Sequence, residues 1–206
     1  AYPIMAEWYS MGQMMMQQAG IRLEDEEGIP QLTNPEFAAQ LEKLLGWYNE
    51  GLIMNIDWAA VWDHFAEGRL LALTTPDWWL NGSLEPLTGT AVDGKMKARP
   101  LPAWEKGGPR TAAWGGSYKA ITVGCEYPEF AYKVLEDMNY GEGIAGPKFD
   151  SSGILLPIAS AWDAEEFQKP YPVYGGQKVG LLLIEMAKEM PVQEVFLFSS
   201  KGWGQI

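Results

Sequence analysis

The sequence predicts a helix-rich α/β fold with a short-stranded sheet, and three observations support it. Apolar residues recur at helical spacing after Asn34-Pro35 and again after Pro128. Short apolar runs bounded by turn residues, at 70–75 and 118–123, are typical of strands. The composition is 47% hydrophobic and 20% charged over 206 residues, which favours a globular chain with a sizeable core.

The first predicted helix ends at Gly20, because a glycine is a common helix stop. The acidic turn that follows, 24–28 (EDEEG), lacks the ligand spacing of an EF-hand, so a solvated loop is favoured there over a calcium site. In the first predicted helix, apolar residues recur at helical spacing at Ile4, Trp8, Met11 and Met15. The chain around Ile4 is interpreted as the start of this helix.

The second predicted helix has a clear beginning and end. Asn34 can cap it, Pro35 occupies its first position, and Gly51 ends it. A shorter helix is expected over 58–67, capped by Asp57, with Val61, Trp62 and Phe65 directed inward. The apolar face predicted for the second helix consists of Phe37, Leu41, Leu44, Leu45 and Tyr48.

The most informative segment follows the shorter helix. Gly68 ends that helix, an apolar strand is predicted over 70–75, and Pro76 stops the strand just before Asp77, Trp78 and Trp79. Flat apolar rings beside a carboxylate acceptor suit a sugar, which has apolar C–H faces and hydroxyl groups. By itself, a pair of indoles is more typical of a buried core.

The middle of the chain is predicted to be mostly irregular. A loop is expected over 81–94, an extended run over 96–102 and a surface loop over 104–110. The pair Gly115-Gly116 precedes the predicted strand 118–123. It is open to two interpretations, a bulge or turn, or a close approach of the backbone to another group.

Helices are predicted to dominate the last third. One begins at Pro128, a broken helical turn covers 141–150, another helix runs from Ser160 through Phe167, and an aromatic loop covers 171–176. A last helix is expected over 177–190. The apolar faces expected here are Phe130, Ala131, Val134, Leu135 and Met138 in the first helix and Val179, Leu182, Leu183 and Met186 in the last.

Composition excludes several classes of function. The formal net charge of −12 argues against nucleic acid and anionic membrane surfaces as partners. Cys125 is the single cysteine, so an intrachain disulfide and a cysteine-based metal site are excluded. Ten Trp, nine Tyr and seven Phe stand against one His, which favours recognition over catalysis. We therefore expect no cofactor, no metal site and no catalytic residues.

Taken in order, these motifs resemble the C-terminal half of the family 1 extracellular solute-binding proteins, the sugar-capturing subunits of bacterial ABC importers. The match depends on the order and spacing of the pieces, since each is weak alone. The pieces are Gly28-Ile29-Pro30, 32–35, 45–52 (LGWYNEGL), Phe65-x-x-Gly68 through Ala72, Pro76–Trp78, Pro100–Pro102, Gly115-Gly116 and 128–135.

The resemblance implies a fold and a role. The fold is a lobe like that of a type II periplasmic binding protein, with the N-terminal lobe absent, residues 1–190 as the C-terminal lobe and 191–206 as a tail near the cleft or hinge. The role is capture of an extracellular solute, an oligosaccharide or other sugar, for the permease subunits of an ABC importer. The protein would be monomeric, and lipid-anchored or secreted at the extracellular face of the membrane or in the periplasm. This chain would carry half of the cleft.

The resemblance also implies a ligand site. Trp78 matches the family's tryptophan that stacks on the bound sugar, Asp77 would accept hydrogen bonds from hydroxyl groups, and Gly115 and Gly116 would offer backbone groups. Trp79 is assigned to packing, because neighbouring side chains point in different directions. Weaker candidates are Trp114 and Tyr174, which flank glycine pairs, and Trp203 in the tail.

Two other classes of function stay open. A glycosidase needs two carboxylates about 5 Å or about 6.5–9.5 Å apart, and Asp57, Asp63, Asp77 and Glu85 surround the aromatic segment without a distinctive spacing. His64 lacks a second His or Cys and is therefore interpreted as a surface or helix-end residue. A carbohydrate-binding or interaction domain would usually be all-β, whereas this chain is helix-rich.

Overall fold

The computed structural model describes residues 4–5, 8–22, 24–25, 27, 29–54 and 58–192. The chain divides into two compact units. The first consists of Ala1–Thr75, Pro100–Gly115 and Met186–Ile206, and the second of Pro76–Arg99 and Gly116–Glu185. The predicted division into a lobe of 1–190 and a tail of 191–206 stays a prediction, because 193–206 lie outside the described residues.

A three-stranded parallel sheet lies in the first unit. Its strands are β1 (Ile4–Met5), β2 (Ile53–Met54) and β3 (Ala72–Leu73), in the order β2-β1-β3. Neighbouring parallel strands need crossover connections, which here contain helices. The helical start predicted around Ile4 is wrong, because Ile4 pairs with Ile53 and Ala72. The strand predicted over 70–75 is confirmed only at Ala72–Leu73.

Two helices, α1 (Trp8–Ala19) and α2 (Pro35–Asn49), form the crossover between β1 and β2. The predicted N-cap of α2 is confirmed, since the Asn34 side chain accepts a hydrogen bond from the backbone N–H of Glu36 at 2.9 Å. The apolar face of α2 is narrower than predicted. Phe37 and Leu44 are buried, whereas Leu45 and Tyr48 are exposed. Among the described residues of the first unit, one core cluster consists of Met15, Leu44 and Ile53 with Met11, Trp47 and Trp104, and another of Met16 and Phe37 with Ile21 and Leu41.

The segment Pro100–Gly115 is fastened to the first unit by side chains of α1 and α2. The Gln17 amide accepts from the N–H of Ala113 and donates to its carbonyl, both at 2.9 Å, as a neighbouring strand would. Trp104 stacks on Trp47, with ring centroids 6.1 Å apart, and Lys43 Nζ lies 4.3 Å from the Trp104 ring. A segment without regular structure is thereby held in place.

The short helix predicted over 58–67 is confirmed in two pieces. A single 3-10 turn, Trp58–Ala60, leads into α3 (Val61–Ala66), in which Val61 and Phe65 are buried. Gly68 follows with a φ of 69°, a left-handed conformation that suits a residue without Cβ. The predicted cap Asp57 lies outside the described residues.

The second unit is built from helices and short 3-10 turns. Four helices lie in or reach into it, α4 (Trp79–Leu87), α5 (Pro128–Tyr140), α6 (Ala145–Ser152) and α7 (Val179–Ala187). The 3-10 turns are Ala159–Ala161, Glu165–Gln168 and Pro172–Tyr174. The core of this unit consists of Leu80, Phe149, Phe167, Tyr171, Val179 and Ile184. Among the described residues, no helix is both long and apolar enough to cross a bilayer.

Several predictions for the second unit are wrong in detail. The loop predicted from residue 81 is the body of α4, the broken turn at 141–150 contains most of α6, and the helix predicted from Ser160 is two 3-10 turns. Gly82, Ser83 and Pro86 are poor helix formers, so local propensity argued against α4. Tertiary contacts override that propensity, because Leu80, Ser83 and Leu87 are all buried.

Two predictions of apolar packing in the second unit are wrong. The strand predicted over 118–123 pairs with no strand among the described residues, and Tyr118 and Val123 are fully exposed. The helix predicted from Pro128 is present as α5, but none of its residues is buried. In the last helix, α7, Val179 and Met186 are buried as predicted.

Candidate functional site

The candidate site begins with the tight turn that starts α4. The carbonyls of Pro76 and Asp77 accept from the N–H groups of Trp79 and Leu80, at 3.2 and 2.9 Å. Asp77 Oδ1 accepts from the N–H of Trp78 at 2.9 Å. Because the first N–H groups of a helix have no partner within it, an acidic side chain is well placed there.

A set of contacts, here called the Asp77 clamp, joins this turn to the end of α6. The clamp consists of Asp77, Asn81, Asp150, Gly153 and Leu155. Asp77 Oδ2 accepts from the N–H of Leu155 at 2.8 Å, and Asn81 Nδ2 donates to the carbonyl of Asp150 at 3.0 Å. The structure therefore uses both carboxylate oxygens of Asp77 to hold the backbone.

Gly153 allows the two segments of the clamp to approach closely. Its φ is 75°, and a Cβ there would lie 3.1 Å from the carbonyl oxygen of Asp77 and 3.3 Å from the backbone nitrogen of Asn81. A larger residue would therefore suffer both backbone strain and a steric clash. The glycine therefore lets the residues after α6 lie against the start of α4.

Trp78 lies at the exposed edge of this clamped turn. Its side chain is 48% exposed, whereas Trp79 is half-buried. The centroids of the two rings lie 5.5 Å apart and the ring planes are tilted by 43°. The two neighbouring indoles differ in exposure as the sequence predicted, and Trp78 is the one that presents a ring to solvent.

Tyr174 is joined to α4 by a hydrogen bond with Ser83. Its phenol oxygen lies 2.9 Å from Ser83 Oγ, which donates to the carbonyl of Leu80 at 2.6 Å. Burial raises the pKa of the Tyr174 phenol, and the hydrogen bond with Ser83 offsets part of that rise, so the phenol is neutral at pH 7. Lys97 Nζ donates to the carbonyl of Tyr174 at 3.0 Å.

Gly115 and Gly116 are both exposed. Gly115 has a φ of 80°, which explains a glycine at that position, but Gly116 has no such requirement. Apart from atoms of the adjacent residues, no described atom lies within 4 Å of a Cβ built at either residue. Steric exclusion of a side chain therefore does not explain the second glycine.

Three of the residues predicted for the ligand site belong to the second unit. Asp77 and Trp78 are neighbours at the start of α4, whereas Tyr174 contacts Ser83 further along the same helix. Gly116 is the first residue of a stretch of that unit, whereas Trp114, which is half-buried, and Gly115 belong to the first unit. The remaining candidate, Trp203, lies outside the described residues.

Sequence reasoning missed the supporting residues of the site. Asn81 and Ser83 fell in a predicted loop, and Gly153 lies between the turn predicted over 141–150 and the helix predicted from Ser160. Part of the local signal was present in the sequence. An Asp is common at the start of a helix, and a Gly just past the last turn of a helix often ends it. No local pattern indicates that these two helix ends meet.

In the described part of the chain, the His, Cys, Asp and Glu side chains form no group of three or more that could hold a metal ion. His64 lies in the last turn of α3, where its Nδ1 atom is buried. This position agrees with the helix-end role predicted for it.

Comparison with known proteins now bears on the fold. No protein-family model matches the chain. The chain is 27% identical over 131 residues to an arabinooligosaccharide-binding protein of Halalkalibacterium halodurans, a match that covers 63% of this chain and 29% of that protein.

A solved structure matches almost the whole chain. It is the ABC transporter associated binding protein from B. animalis subsp. lactis Bl-04, in complex with β-1,6-galactobiose. The TM-score is 0.74, the sequence identity is 20%, and the match covers 98% of this chain and 54% of that one. The chain therefore has the fold of about half of that solved protein.

The two comparisons confirm the resemblance to family 1 solute-binding proteins and the helix-rich α/β fold class. They also limit it, because the chain spans about half the length of the solved structure and less than a third of the curated relative. The individual residues of the predicted ligand site are not tested by either match.

Proposed function

We propose that this chain is part of an extracellular binding protein that captures a carbohydrate, most specifically an oligosaccharide, and delivers it to an ABC importer. The names of the two similar proteins support this proposal, since one binds arabinooligosaccharides and the other was solved with β-1,6-galactobiose. Both are binding proteins, which favours recognition without catalysis. The permease subunits would be the partners, and the extracellular face of the membrane or the periplasm the location, with a lipid anchor and a monomeric state as further parts of the proposal.

The observation that carries the proposal is the exposed indole of Trp78 on the Asp77 clamp. A sugar ring stacks its C–H face on an aromatic ring, and such stacking is strongest when the ring is held in place before the ligand arrives. The hydrogen bonds of Asp77 to Trp78 and Leu155 fix the backbone beneath the indole. The turn therefore offers a rigid stacking platform.

The other candidate residues would add polar contacts. Each carboxylate oxygen of Asp77 accepts one backbone N–H and keeps capacity for another donor, so a sugar hydroxyl can still bind there. Gly115 and Gly116 have no side chain to block a ligand that approaches their backbone. Trp114, Tyr174 and Trp203 remain weaker proposals.

Calorimetric titration tests this proposal. Arabinooligosaccharides and β-1,6-galactobiose are titrated into the 206-residue chain and into the polypeptide encoded by the complete gene. We expect weak binding by the chain alone, because enclosure by a second lobe is a main source of affinity in hinged binding proteins. Tight binding by the 206 residues alone would contradict the half-cleft proposal.

A substitution in the longer polypeptide tests the platform itself. Trp78→Ala is expected to weaken sugar binding by about 2 kcal/mol or more, as for a central aromatic anchor. Tyr48→Ala is the matched control, because Tyr48 is a similarly exposed aromatic residue on α2 in the first unit. An unchanged dissociation constant for Trp78→Ala would remove Trp78 from the site. Release of reducing ends during the titration would favour the glycosidase alternative.

A further inference from the structure

The start of α4 contains a chemically reactive dipeptide. Asn81 is followed by Gly82, and no other asparagine of the chain precedes a glycine. A glycine after an asparagine favours deamidation, because it has no Cβ to obstruct attack by its backbone nitrogen on the asparagine side chain. Gly82 is exposed, so water and hydroxide reach this peptide group. The dipeptide therefore has the groups that a spontaneous modification needs.

Deamidation of Asn81 would proceed through a cyclic imide. The backbone nitrogen of Gly82 loses its proton to hydroxide and attacks Cγ of Asn81. A C–N bond forms, the bond between Cγ and Nδ2 breaks, and the side-chain nitrogen leaves as ammonia after it takes a proton from water. Water then opens the ring and leaves aspartate or isoaspartate. The reaction consumes a water molecule and releases ammonia, and it needs neither an enzyme nor an oxidant.

The folded chain holds both reacting groups of the dipeptide. Trp78 is the N-cap of α4, so its carbonyl accepts the first hydrogen bond of the helix, which comes from the N–H of Gly82. The side-chain amide of Asn81 is fixed by the bond from Nδ2 to the carbonyl of Asp150 at 3.0 Å. Attack on Cγ therefore requires that the first turn of α4 opens and that the contact with Asp150 breaks.

We propose that Asn81 is a deamidation site whose rate the Asp77 clamp controls. The hydrogen bonds of Asp77 and the close approach at Gly153 hold the first turn of α4 against the residues after α6. The reaction is therefore slow while the clamp is closed and fast once it opens. This role goes beyond solute binding and does not depend on which solute the chain binds.

The product of the reaction cannot rebuild the contact that it replaces. Asn81 Oδ1 is buried and has no hydrogen-bond partner among the described residues, and Nδ2 meets the carbonyl of Asp150. An aspartate would place one carboxylate oxygen where no donor binds it and the other against a carbonyl oxygen. An isoaspartate would also add a methylene to the helix backbone. Deamidation thus makes an opening of the clamp permanent.

Peptide mass spectrometry of the 206-residue chain, incubated at mildly alkaline pH, tests the proposal. Deamidation raises the mass of the peptide that contains Asn81, and chromatography separates its aspartate and isoaspartate forms. We expect the folded chain to react about 10-fold or more slower than the same chain in urea, because local opening must precede the reaction. Gly82→Ala should slow the reaction strongly in urea, which assigns the modification to this dipeptide.

A matched pair of glycine variants separates the clamp from backbone strain in general. Gly153→Ala places a Cβ 3.1 Å from the carbonyl oxygen of Asp77 and should accelerate deamidation of Asn81 by about 10-fold or more. Gly89→Ala is the control, because Gly89 lies just past the C-terminal end of α4 with nearly the same φ, 76° against 75°. Apart from the adjacent residues, a Cβ there meets no described atom within 4 Å, so the rate should not change.

Two further variants keep the test valid if Gly153→Ala does not fold. Asp77→Asn replaces one of two acceptor oxygens with a donor, so the N–H groups of Trp78 and Leu155 are no longer both bound and deamidation should be faster. Asn81→Asp is the product itself. It should speed hydrogen exchange of the Leu155 amide, which the closed clamp protects.

Four results would overturn the proposal. The first is deamidation that is as fast in the folded chain as in urea. The second is a rate in Gly153→Ala and Asp77→Asn that equals the rate of the unchanged chain. The third is equal acceleration by Gly89→Ala, which would mean that strain anywhere near α4 has the same effect. The fourth is unchanged exchange of the Leu155 amide in Asn81→Asp.

Discussion

Helices α2 and α5 begin alike and end in opposite environments. Each has a proline at its first position, an acidic residue next to it and apolar residues at helical spacing. In α2 that pattern places Phe37 and Leu44 in the core, at 2% and 1% exposure, whereas α5 buries no residue. The same sequence signal thus predicts a helix in both cases but predicts burial in only one, because burial needs a second surface.

The largest expected difference between the two helices is the cost of removing an apolar side chain. Leu44→Ala should lower the free energy of unfolding of the 206-residue chain by about 3 kcal/mol, because it leaves a cavity in a packed core. Met138→Ala, a change of similar size at a residue of α5 that is 53% exposed, should alter it by less than about 0.5 kcal/mol, as is usual for surface positions. Urea denaturation measures both. Equal costs would mean that α5 is already packed in this chain and would break the comparison.

An intermediate difference is expected at the helix N-termini. The Asn34 side chain caps α2, whereas Tyr127, at the corresponding position of α5, provides no side-chain cap. Asn34→Ala should lower the free energy of unfolding by about 1 kcal/mol, the usual cost of a lost cap. Tyr127→Asn should increase the helicity of α5, measured by carbon chemical shifts, with little effect on global unfolding. A large global stabilisation by Tyr127→Asn would show that α5 unfolds with the core.

The smallest expected effect concerns charge on α5. Hydrogen bonds to Glu136 and Asp137 raise the pKa of Lys133 above its ordinary value of 10.5. Because the pKa is higher in the folded state, the stabilisation is fully present below pH 10.5 and is lost as the pH rises through the folded value. The side chain is exposed, so salt should screen the interaction. Lys133→Met should remove this pH and salt dependence from the chemical shifts of α5 and leave those of α2 unchanged.

The opposite sign is expected for an ion pair in the first unit. Arg110 binds the Glu189 carboxylate, with Nε 3.0 Å from Oε2, and lowers the pKa of Glu189 below its ordinary value of 4.5. Its stabilisation is therefore present above pH 4.5 and is lost as the pH falls through the folded value. In Glu189→Gln, the free energy of unfolding should therefore fall slightly less as the pH is lowered below 4.5. Urea denaturation at a series of pH values measures this dependence.

Much of the fold could be predicted from local patterns. The start and end of α2, the stop at Gly68 and the helix after Pro128 follow from caps, prolines and glycines that act within a few residues. Helix α4 could not be predicted in this way, since its poor helix formers are compensated by burial of Leu80 and Leu87 among residues distant in sequence. The paired strands are only two residues long, so their bounds carry little sequence signal.

The residues of the candidate site also fall into those that the sequence could predict and those that it could not. Trp78 could be named from the sequence because a proline, a carboxylate and an indole follow an apolar run, and because that order resembles a known family. Ser83, Asn81 and Gly153 could not, since each acts by meeting a residue some 70 to 90 positions away. Support for a site comes from long-range contacts, which leave no periodic trace in the chain.

The sequence by itself determined the class of the fold, the helices with clear caps, the absence of a disulfide within the chain and the resemblance to sugar-binding proteins. These properties depend on composition, on short-range spacing or on the order of motifs. Only the tertiary structure decided that Asp77 holds the backbone of Leu155, that Ser83 meets the phenol of Tyr174, and that α5 buries none of its residues. Those outcomes depend on which distant segments meet, because burial belongs to two surfaces and never to one alone.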